Sequence, residues 1–276
     1  MLVGLVATQL GGARASAVVD GLVVHPSLLE DSADASRAVI AQAVAVVLFD
    51  DLLGRVPSGA AYAEARRAAG DRLQLDHAAV RTVTGVACGE LRPGAEGVAR
   101  VLRPLGYDAP APGGHGAWRH LDLPVDVPHY VVDELDVTRF SDGFTTAAAR
   151  VVGSSRDPLT GLALVHLDRL AAEGSLPRTP AESLLGELVA CFARHHAPPA
   201  LADYELLLAE SEEMAWIATE GTTWHHAAVG GEGADAPTTY PPALVERRFK
   251  VGERATESRT VPGSTFELVR RGRPWP

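Results

Sequence analysis

The chain has 276 residues, of which 46% are hydrophobic, so it can bury a substantial core. Its formal net charge of −10 argues against a nucleic-acid or anionic-membrane partner and favours a small molecule. No apolar stretch approaches the ~20 residues of a membrane-spanning helix. Cys88 and Cys191 form no C-x-x-C pair, which argues against a disulfide framework or a thiolate cluster. We therefore expect a soluble, cytoplasmic protein whose oligomeric state the sequence leaves open.

The first elements predicted along the chain are helices. Residues 35–53 are rich in helix formers and contain no Gly or Pro, and Ser32 or Asp34 is a suitable cap. A second helix over residues 60–69 follows Pro57 and is closed by Gly70. The N-terminal segment lacks the basic start of a signal peptide and is interpreted as mature protein. Residues 1–70 are thus predicted to form a helical N-terminal part.

Strand character begins near Leu73, where β-branched residues appear and helical spacing is lost. A short helix ending near Pro104 follows, and then strands over residues 117–123 and 129–135. These elements make residues 71–140 the predicted first half of a sheet. Residues 141–220 form a helical layer with breaks near residues 157–158, 177–180 and 198–199.

Strand patterns return in the predicted second half of the sheet, residues 221–276, over residues 222–229, 243–251 and 264–271. Because strands lie towards both ends of the chain, they must meet in one sheet with helices grouped beside it. The sequence therefore predicts an α+β fold in a single domain over residues 1–276.

The first candidate for chemistry is the strand segment LDHAAVR. Residues two and four apart on a strand share a face, so His77, Ala79 and Arg81 are expected on one face. At ~3.3 Å per residue, the backbones of His77 and Arg81 lie about 13 Å apart, and the guanidinium can reach back towards a ligand of His77. The alternative is a hydrogen-bonded core histidine beside an ordinary ion-pair arginine.

Two further candidates lie near the C-terminus. In TTWHHAAV, neighbouring strand residues point to opposite faces, so at most one of His225 and His226 can share a metal with inner-face partners. Strand alternation alone leaves that choice open. In STFELVRR, Glu267 lies between Phe266 and Leu268, and its carboxylate is either exposed or held by a cation or metal. Two imidazoles and one carboxylate suit the facial triad of Fe(II), although the same ligands also suit tetrahedral zinc.

Six sequence segments, taken in their order along the chain, resemble those of the 2-oxoadipate dioxygenase/decarboxylase family, also called hydroxyglutarate synthase. They are LDHAAVRTV, GVARVLRPLGY, HYVVDELDVTRFS, VVGSSRDPLT, WHHAAVGG and VPGSTFELVRRG, and the resemblance extends from about residue 48 to residue 272. The family is similar in its metal site to vicinal oxygen chelate enzymes. The resemblance therefore implies a mixed, strongly curved β-sheet that encloses a metal site.

Carried over by position, the resemblance implies that His77, His226 and Glu267 are the metal ligands and that Arg81 holds a substrate carboxylate. It also implies Fe(II) as cofactor, with a 2-oxo acid and O2 as reactants. The loop after His226 departs from the family pattern, which leaves the substrate open. The segment from Ser154 to Thr160 has a structural interpretation instead, with Ser155 and Asp157 as caps and Pro158 opening the next helix.

The expected function is an Fe(II) oxygenase that decarboxylates a 2-oxo acid related to 2-oxoadipate, giving a 2-hydroxy acid and CO2. Two alternatives are kept. One is non-oxidative lyase, isomerase or hydrolase chemistry at a metal of the vicinal oxygen chelate type. The other is a non-catalytic protein that binds a metal or small molecule on the same scaffold.

Overall fold

The computed structural model describes residues 1–110, 117–231, 254–256 and 265–268. In chain order the elements are α1 Leu2–Leu10, α2 Gly12–Asp20, α3 Pro26–Leu29, β1 Asp34–Ser36, α4 Arg37–Arg55, α5 Pro57–Ala68, β2 Leu73–Thr84, α6 Ala95–Leu102, β3 Tyr107–Asp108, β4 Arg119–His120, β5 His129–Asp136, α7 Asp142–Val152, α8 Gly161–Glu173, β6 Ser175–Pro177, α9 Arg178–Ala190, α10 Leu201–Glu210, α11 Glu212–Glu220, β7 His226–Gly231, β8 Arg254–Thr256 and β9 Thr265–Leu268. The described residues therefore form a mixed α+β fold, as the sequence predicts.

A mixed sheet of five strands, in the order β5-β2-β7-β9-β8, joins the two ends of the chain. Strand β2 runs parallel to β5 and antiparallel to β7, and β7 runs parallel to β9. The prediction that strands from both ends share one sheet is confirmed. Within the described residues the sheet is open, with β5 and β8 at its edges, and the strong curvature expected around a metal site stays a prediction.

The two faces of the sheet have different surroundings. Helix α4 starts where Ser36 Oγ accepts a hydrogen bond from Val39 N, and all its residues from Ala38 to Phe49 are buried. A helix that is apolar on all sides belongs inside a core. It shares the larger hydrophobic cluster with Ala78 and Val80 of β2. The opposite face of β2 is therefore the one that carries His77, Ala79 and Arg81.

A smaller hydrophobic cluster covers the end of that opposite face. It contains Val83 of β2, Phe144 of α7, and Met214, Trp216 and Ile217 of α11. The predicted helical layer supplies these helices. Two of its three predicted breaks separate α7 from α8 and α9 from α10, and the third, near residues 177–180, lies where β6 ends and α9 begins. None of the described helices is both long and apolar enough to cross a membrane.

Some local predictions differ from the structure. The cap of α4 is Ser36 and is neither Ser32 nor Asp34. The strand expected over residues 117–123 is reduced to Arg119–His120, because His120 Nδ1 accepts hydrogen bonds from the backbone N–H groups of Asp122 and Leu123 and turns the chain. The next helix after α7 begins at Gly161 rather than at Pro158, because the cap is Thr160, whose Oγ1 accepts from Ala163 N. The strand expected over residues 243–251 lies outside the described residues.

A close backbone approach makes Gly89 a sensitive position. Its φ is +60°, and an added Cβ would lie 2.8 Å from Ser155 N and closer still to Ser155 O. We expect Gly89→Ala to lower the free energy of unfolding by about 3 kcal/mol, because strain and overlap with backbone add. Urea denaturation measures the change. Gly161→Ala is the control, since nothing lies within 4 Å of its Cβ position. Equal free energies of unfolding for the two variants would contradict the explanation by strain and backbone overlap at Gly89.

Candidate functional site

Two buried imidazoles from distant parts of the chain meet on the open face of the sheet. The register of β2 and β7 pairs Ala79 with His226, which places His77 on the adjacent row of the same face. The Nε2 atoms of His77 and His226 lie 3.3 Å apart, and the side chains are 4% and 5% exposed. Two nitrogens bound at ~2.1 Å to one ion, at angles of 90 to 109°, lie about 3.0 to 3.4 Å apart. The pair thus has the spacing of two ligands on one metal ion.

A carboxylate supports the first of these imidazoles from behind. Asp76 Oδ2 lies 2.8 Å from His77 Nδ1, so His77 can donate through Nδ1 and direct an Nε2 lone pair towards His226. Burial opposes ionisation of Asp76, but the hydrogen bond with His77 and the positive potential of neighbouring side chains outweigh it and lower the pKa of Asp76. Such a carboxylate–histidine pair is typical of metal ligands, and it equally permits an N–H···N hydrogen bond between the two histidines when no ion is bound.

The neighbouring histidine has a different environment. His225 Nε2 lies 3.5 Å from Asp133 Oδ2, and its ring makes an edge contact with Trp216 at a centroid distance of 5.7 Å. Strand alternation left open whether His225 or His226 lies beside His77, and in the structure it is His226. His225 belongs instead to the group of side chains around Arg81.

The Arg81 side chain packs against helix α11. Its guanidinium carbon lies 5.1 Å from the centre of the Trp216 ring, and its Nε lies 3.7 Å from Glu213 Oε1. The Arg81 side chain is 19% exposed, so this charge is only partly solvated. A substrate carboxylate that reaches this guanidinium would form a charge-assisted contact with a cation held in place by an aromatic ring.

Glu267 occupies a suitable register position in the sheet. Its Cα pairs with that of Ala228 on β7, and Ala228 pairs with His77 on β2, so the three positions form one row across the sheet. Among the side chains that the structure describes, no set of three or more His, Cys, Asp or Glu residues is arranged for a metal ion. The third ligand of the histidine pair stays a prediction, with Glu267 as its candidate.

Sequence patterns did not indicate the partners of Arg81. Glu213 and Trp216 lie about 130 positions further along the chain, inside the predicted helical layer, and nothing in their local sequence marks them. Asp76 had a signal, because it directly precedes His77 in the DH-x3-R phrase.

A cleft adjoins Arg81, and neither His77 nor His226 lines it. Apolar side chains such as Val98, Phe192 and Ile217 form its walls together with the arginines Arg92 and Arg100, and no Asp or Glu of the described residues lines it. Arg81 is thus the residue that the cleft shares with the candidate site.

The segment from Ser154 to Thr160 forms a structural junction beside this cleft. Asp157 pairs with Arg100 of α6 through a 2.7 Å contact of Nη2 with Oδ1, and it accepts from Leu159 N. The Arg156 side chain is 80% exposed and pairs with Glu90. Ser155 Oγ donates to Val152 O at the end of α7 instead of accepting from the start of a helix. The structural interpretation of this segment agrees with these contacts, whereas the expected capping roles of Ser155 and Asp157 are wrong, because the cap of α8 is Thr160.

A whole-length relative of known structure supports this fold. A Ralstonia eutropha JMP134 protein, described as a glyoxalase-superfamily protein, is 34% identical and superimposes with a TM-score of 0.83. The alignment covers 99% of this chain and 96% of that protein. At this identity and coverage, the two chains share one family.

Other comparisons concern the fold and the sequence family. The hydroxyglutarate synthase of Oryza sativa, solved with 2-oxoadipate, is 16% identical, with coverage of 84% of this chain and 80% of its own and a TM-score of 0.53. The hydroxyglutarate synthase of Pseudomonas putida is 19% identical and has a TM-score of 0.51. Its alignment covers 75% of this chain and 54% of the Pseudomonas putida protein. Residues 117–243 match the sequence model of 2-oxoadipate dioxygenase/decarboxylase. No curated protein matches the chain.

Proposed function

The chain shares one family with the Ralstonia eutropha glyoxalase-superfamily protein. From the match of residues 117–243 to the sequence model of 2-oxoadipate dioxygenase/decarboxylase, we propose that it is a non-haem Fe(II) oxygenase that oxidatively decarboxylates a 2-oxo acid. The observation that carries the proposal is the 3.3 Å separation of the buried Nε2 atoms of His77 and His226, with Asp76 behind one of them. In the proposal, Glu267 supplies the third ligand from the same row of the sheet.

These residues fit Fe(II) by type and number. Two imidazoles and one carboxylate would hold Fe(II) and would leave room on it for a substrate and dioxygen. When bound there, Fe(II) supplies chelation of the 2-oxo acid and activation of dioxygen for its oxidative decarboxylation. By accepting a hydrogen bond from His77 Nδ1, Asp76 would leave Nε2 available to the ion, and the burial of both histidines would limit the access of water to it.

Arg81 would bind the carboxylate of the substrate that does not chelate the metal. It lies four positions after His77 on β2, so the two backbones are about 13 Å apart. The Trp216 ring supports the guanidinium on one side, which fixes where a carboxylate can approach. The imidazole and guanidinium side chains both extend from these backbones, so a 2-oxo acid much shorter than 13 Å would present its keto end to the histidines and its far end to Arg81.

The test is anaerobic reconstitution with Fe(II), followed by air and a series of 2-oxo acids. We expect one O2 consumed per CO2 released, and 2-hydroxyglutarate from 2-oxoadipate. The reaction balances because the six-carbon oxo diacid and O2 together contain the same atoms as the five-carbon hydroxy diacid and CO2. An oxygen electrode and mass spectrometry follow the two gases and the product. Absence of oxygen uptake with every 2-oxo acid would refute the proposal.

A second candidate is metal-dependent lyase, isomerase or hydrolase chemistry without oxygen. It is favoured by the 34% identical relative, which is described as a glyoxalase-superfamily protein. The same ligands would then hold a Lewis-acid metal that polarises a carbonyl group. Turnover by the zinc- or manganese-loaded protein in an oxygen-free chamber would favour this candidate. A loaded protein that turns over nothing under either atmosphere would favour a non-catalytic binding protein.

A further inference from the structure

Helix α11 presents two different side chains to Arg81. Ser211 Oγ accepts a hydrogen bond from Met214 N and fixes the start of the helix. Glu213 and Trp216 are three positions apart, so they lie on the same side of the helix. Trp216 is 2% exposed and packs within the smaller hydrophobic cluster. The helix therefore holds an indole ring and a carboxylate against one guanidinium.

One carboxylate contacts this guanidinium, and a second acidic residue lies beside Arg81 in the sheet register. Glu213 Oε1 of α11 lies 3.7 Å from Arg81 Nε. Asp133 of β5 is the register partner of Arg81, and His225 Nε2 lies 3.5 Å from its carboxylate. Burial raises the pKa of Glu213 and Asp133 raises it further, while Arg81 acts in the opposite direction. The environment of Glu213 therefore favours its protonated, neutral form more than water does.

The carboxylate of Glu213 and the far carboxylate of the substrate would both form an ion pair with Arg81. Both need the positive charge, and both must approach the guanidinium from a side that the Trp216 ring does not cover. The Glu213 contact is long and partly exposed, with 36% of its side chain accessible. Partly exposed pairs of this kind are weak, so the substrate carboxylate can displace Glu213, although the competition lowers its affinity.

We propose that Glu213 is a specificity-determining residue that competes with the far carboxylate of the substrate for Arg81. This inference rests on the proposed function, since it assumes that a 2-oxo acid binds across the sheet. Its consequence concerns the substrate class. Competition by Glu213 reduces the advantage that a second carboxylate gains from Arg81, so the native protein favours dicarboxylic over monocarboxylic 2-oxo acids less strongly than Arg81 alone would.

The experiment compares two ligands that differ only in the far carboxylate, 2-oxoadipate and 2-oxohexanoate. Dissociation constants are measured by calorimetry on the Fe(II)-loaded protein without oxygen. We expect Glu213→Gln to strengthen 2-oxoadipate binding about fivefold, the upper range for a partly exposed pair, and to change 2-oxohexanoate binding less than about twofold. Glu213→Asp withdraws the carboxylate by one methylene and should give an intermediate ratio, which also provides a second variant if the first folds poorly.

Glu212→Gln is the matched control. Glu212 is exposed, lies in the same helical turn and carries the same charge, so its loss changes the net charge of the protein equally. We expect its ratio of dissociation constants to equal that of the wild type. An unchanged ratio in both Glu213 variants, or an equal change in Glu212→Gln, would overturn the inference while leaving the proposed function intact. A loaded wild type that binds neither ligand would overturn both.

Discussion

Replacing His226 with alanine should abolish stoichiometric iron binding. The variant keeps His77 and the candidate Glu267, but two remaining ligands hold Fe(II) far more weakly than three, and we expect a loss of at least about 100-fold in affinity. Metal content after dialysis against a weak chelator, measured by inductively coupled plasma mass spectrometry, gives the result. Thermal unfolding of the metal-free proteins shows whether the variant retains the fold, because His226 is buried.

His225→Ala provides the matched control for this measurement. The two histidines are adjacent and are both 5% exposed, yet only His226 has its Nε2 beside that of His77. We expect His225→Ala to keep one equivalent of iron. Full iron content in His226→Ala, or equal loss in the two variants, would show that the histidine pair is a structural contact and not a metal site.

Replacing Arg81 with methionine should raise the KM for a dicarboxylic 2-oxo acid about 30-fold, with a smaller change in kcat. The estimate follows from the loss of a charge-assisted hydrogen bond, which contributes about 1.5 to 3 kcal/mol. Methionine preserves much of the aliphatic length that packs on Trp216, so the effect reports mainly the loss of the charge. Steady-state oxygen consumption against substrate concentration separates the two constants.

Arg92→Met serves as the control for Arg81. Arg92 is exposed and lines the same cleft, so its replacement removes the same charge from the same cleft while Arg81 is kept. We expect its KM to stay within about twofold of the wild type, as for an exposed charge. Iron content should be normal in both variants. An unchanged KM in Arg81→Met would contradict the assignment of Arg81 as the carboxylate-binding residue.

Local sequence patterns determined much of the secondary structure. Helix formers without Gly or Pro predicted a helix over residues 35–53, and the structure has α4 at Arg37–Arg55. The change to β-branched residues located the start of β2 at Leu73. The prediction of a strand over all of residues 117–123 was wrong, because the His120 side chain accepts two backbone hydrogen bonds and turns the backbone there. The pattern of residue types along the chain does not reveal an individual side-chain hydrogen bond of this kind.

The candidate site depends on contacts between distant parts of the chain. The sequence by itself determined that His77, Ala79 and Arg81 share a face, because strand alternation is local, and the family resemblance singled out His226 and Glu267. Only the tertiary structure decided that His226, 149 positions from His77, lies beside it, because the register of β2 with β7 sets that neighbour. It also decided that Glu213 and Trp216 surround Arg81, since helix packing brings together residues that no local pattern connects.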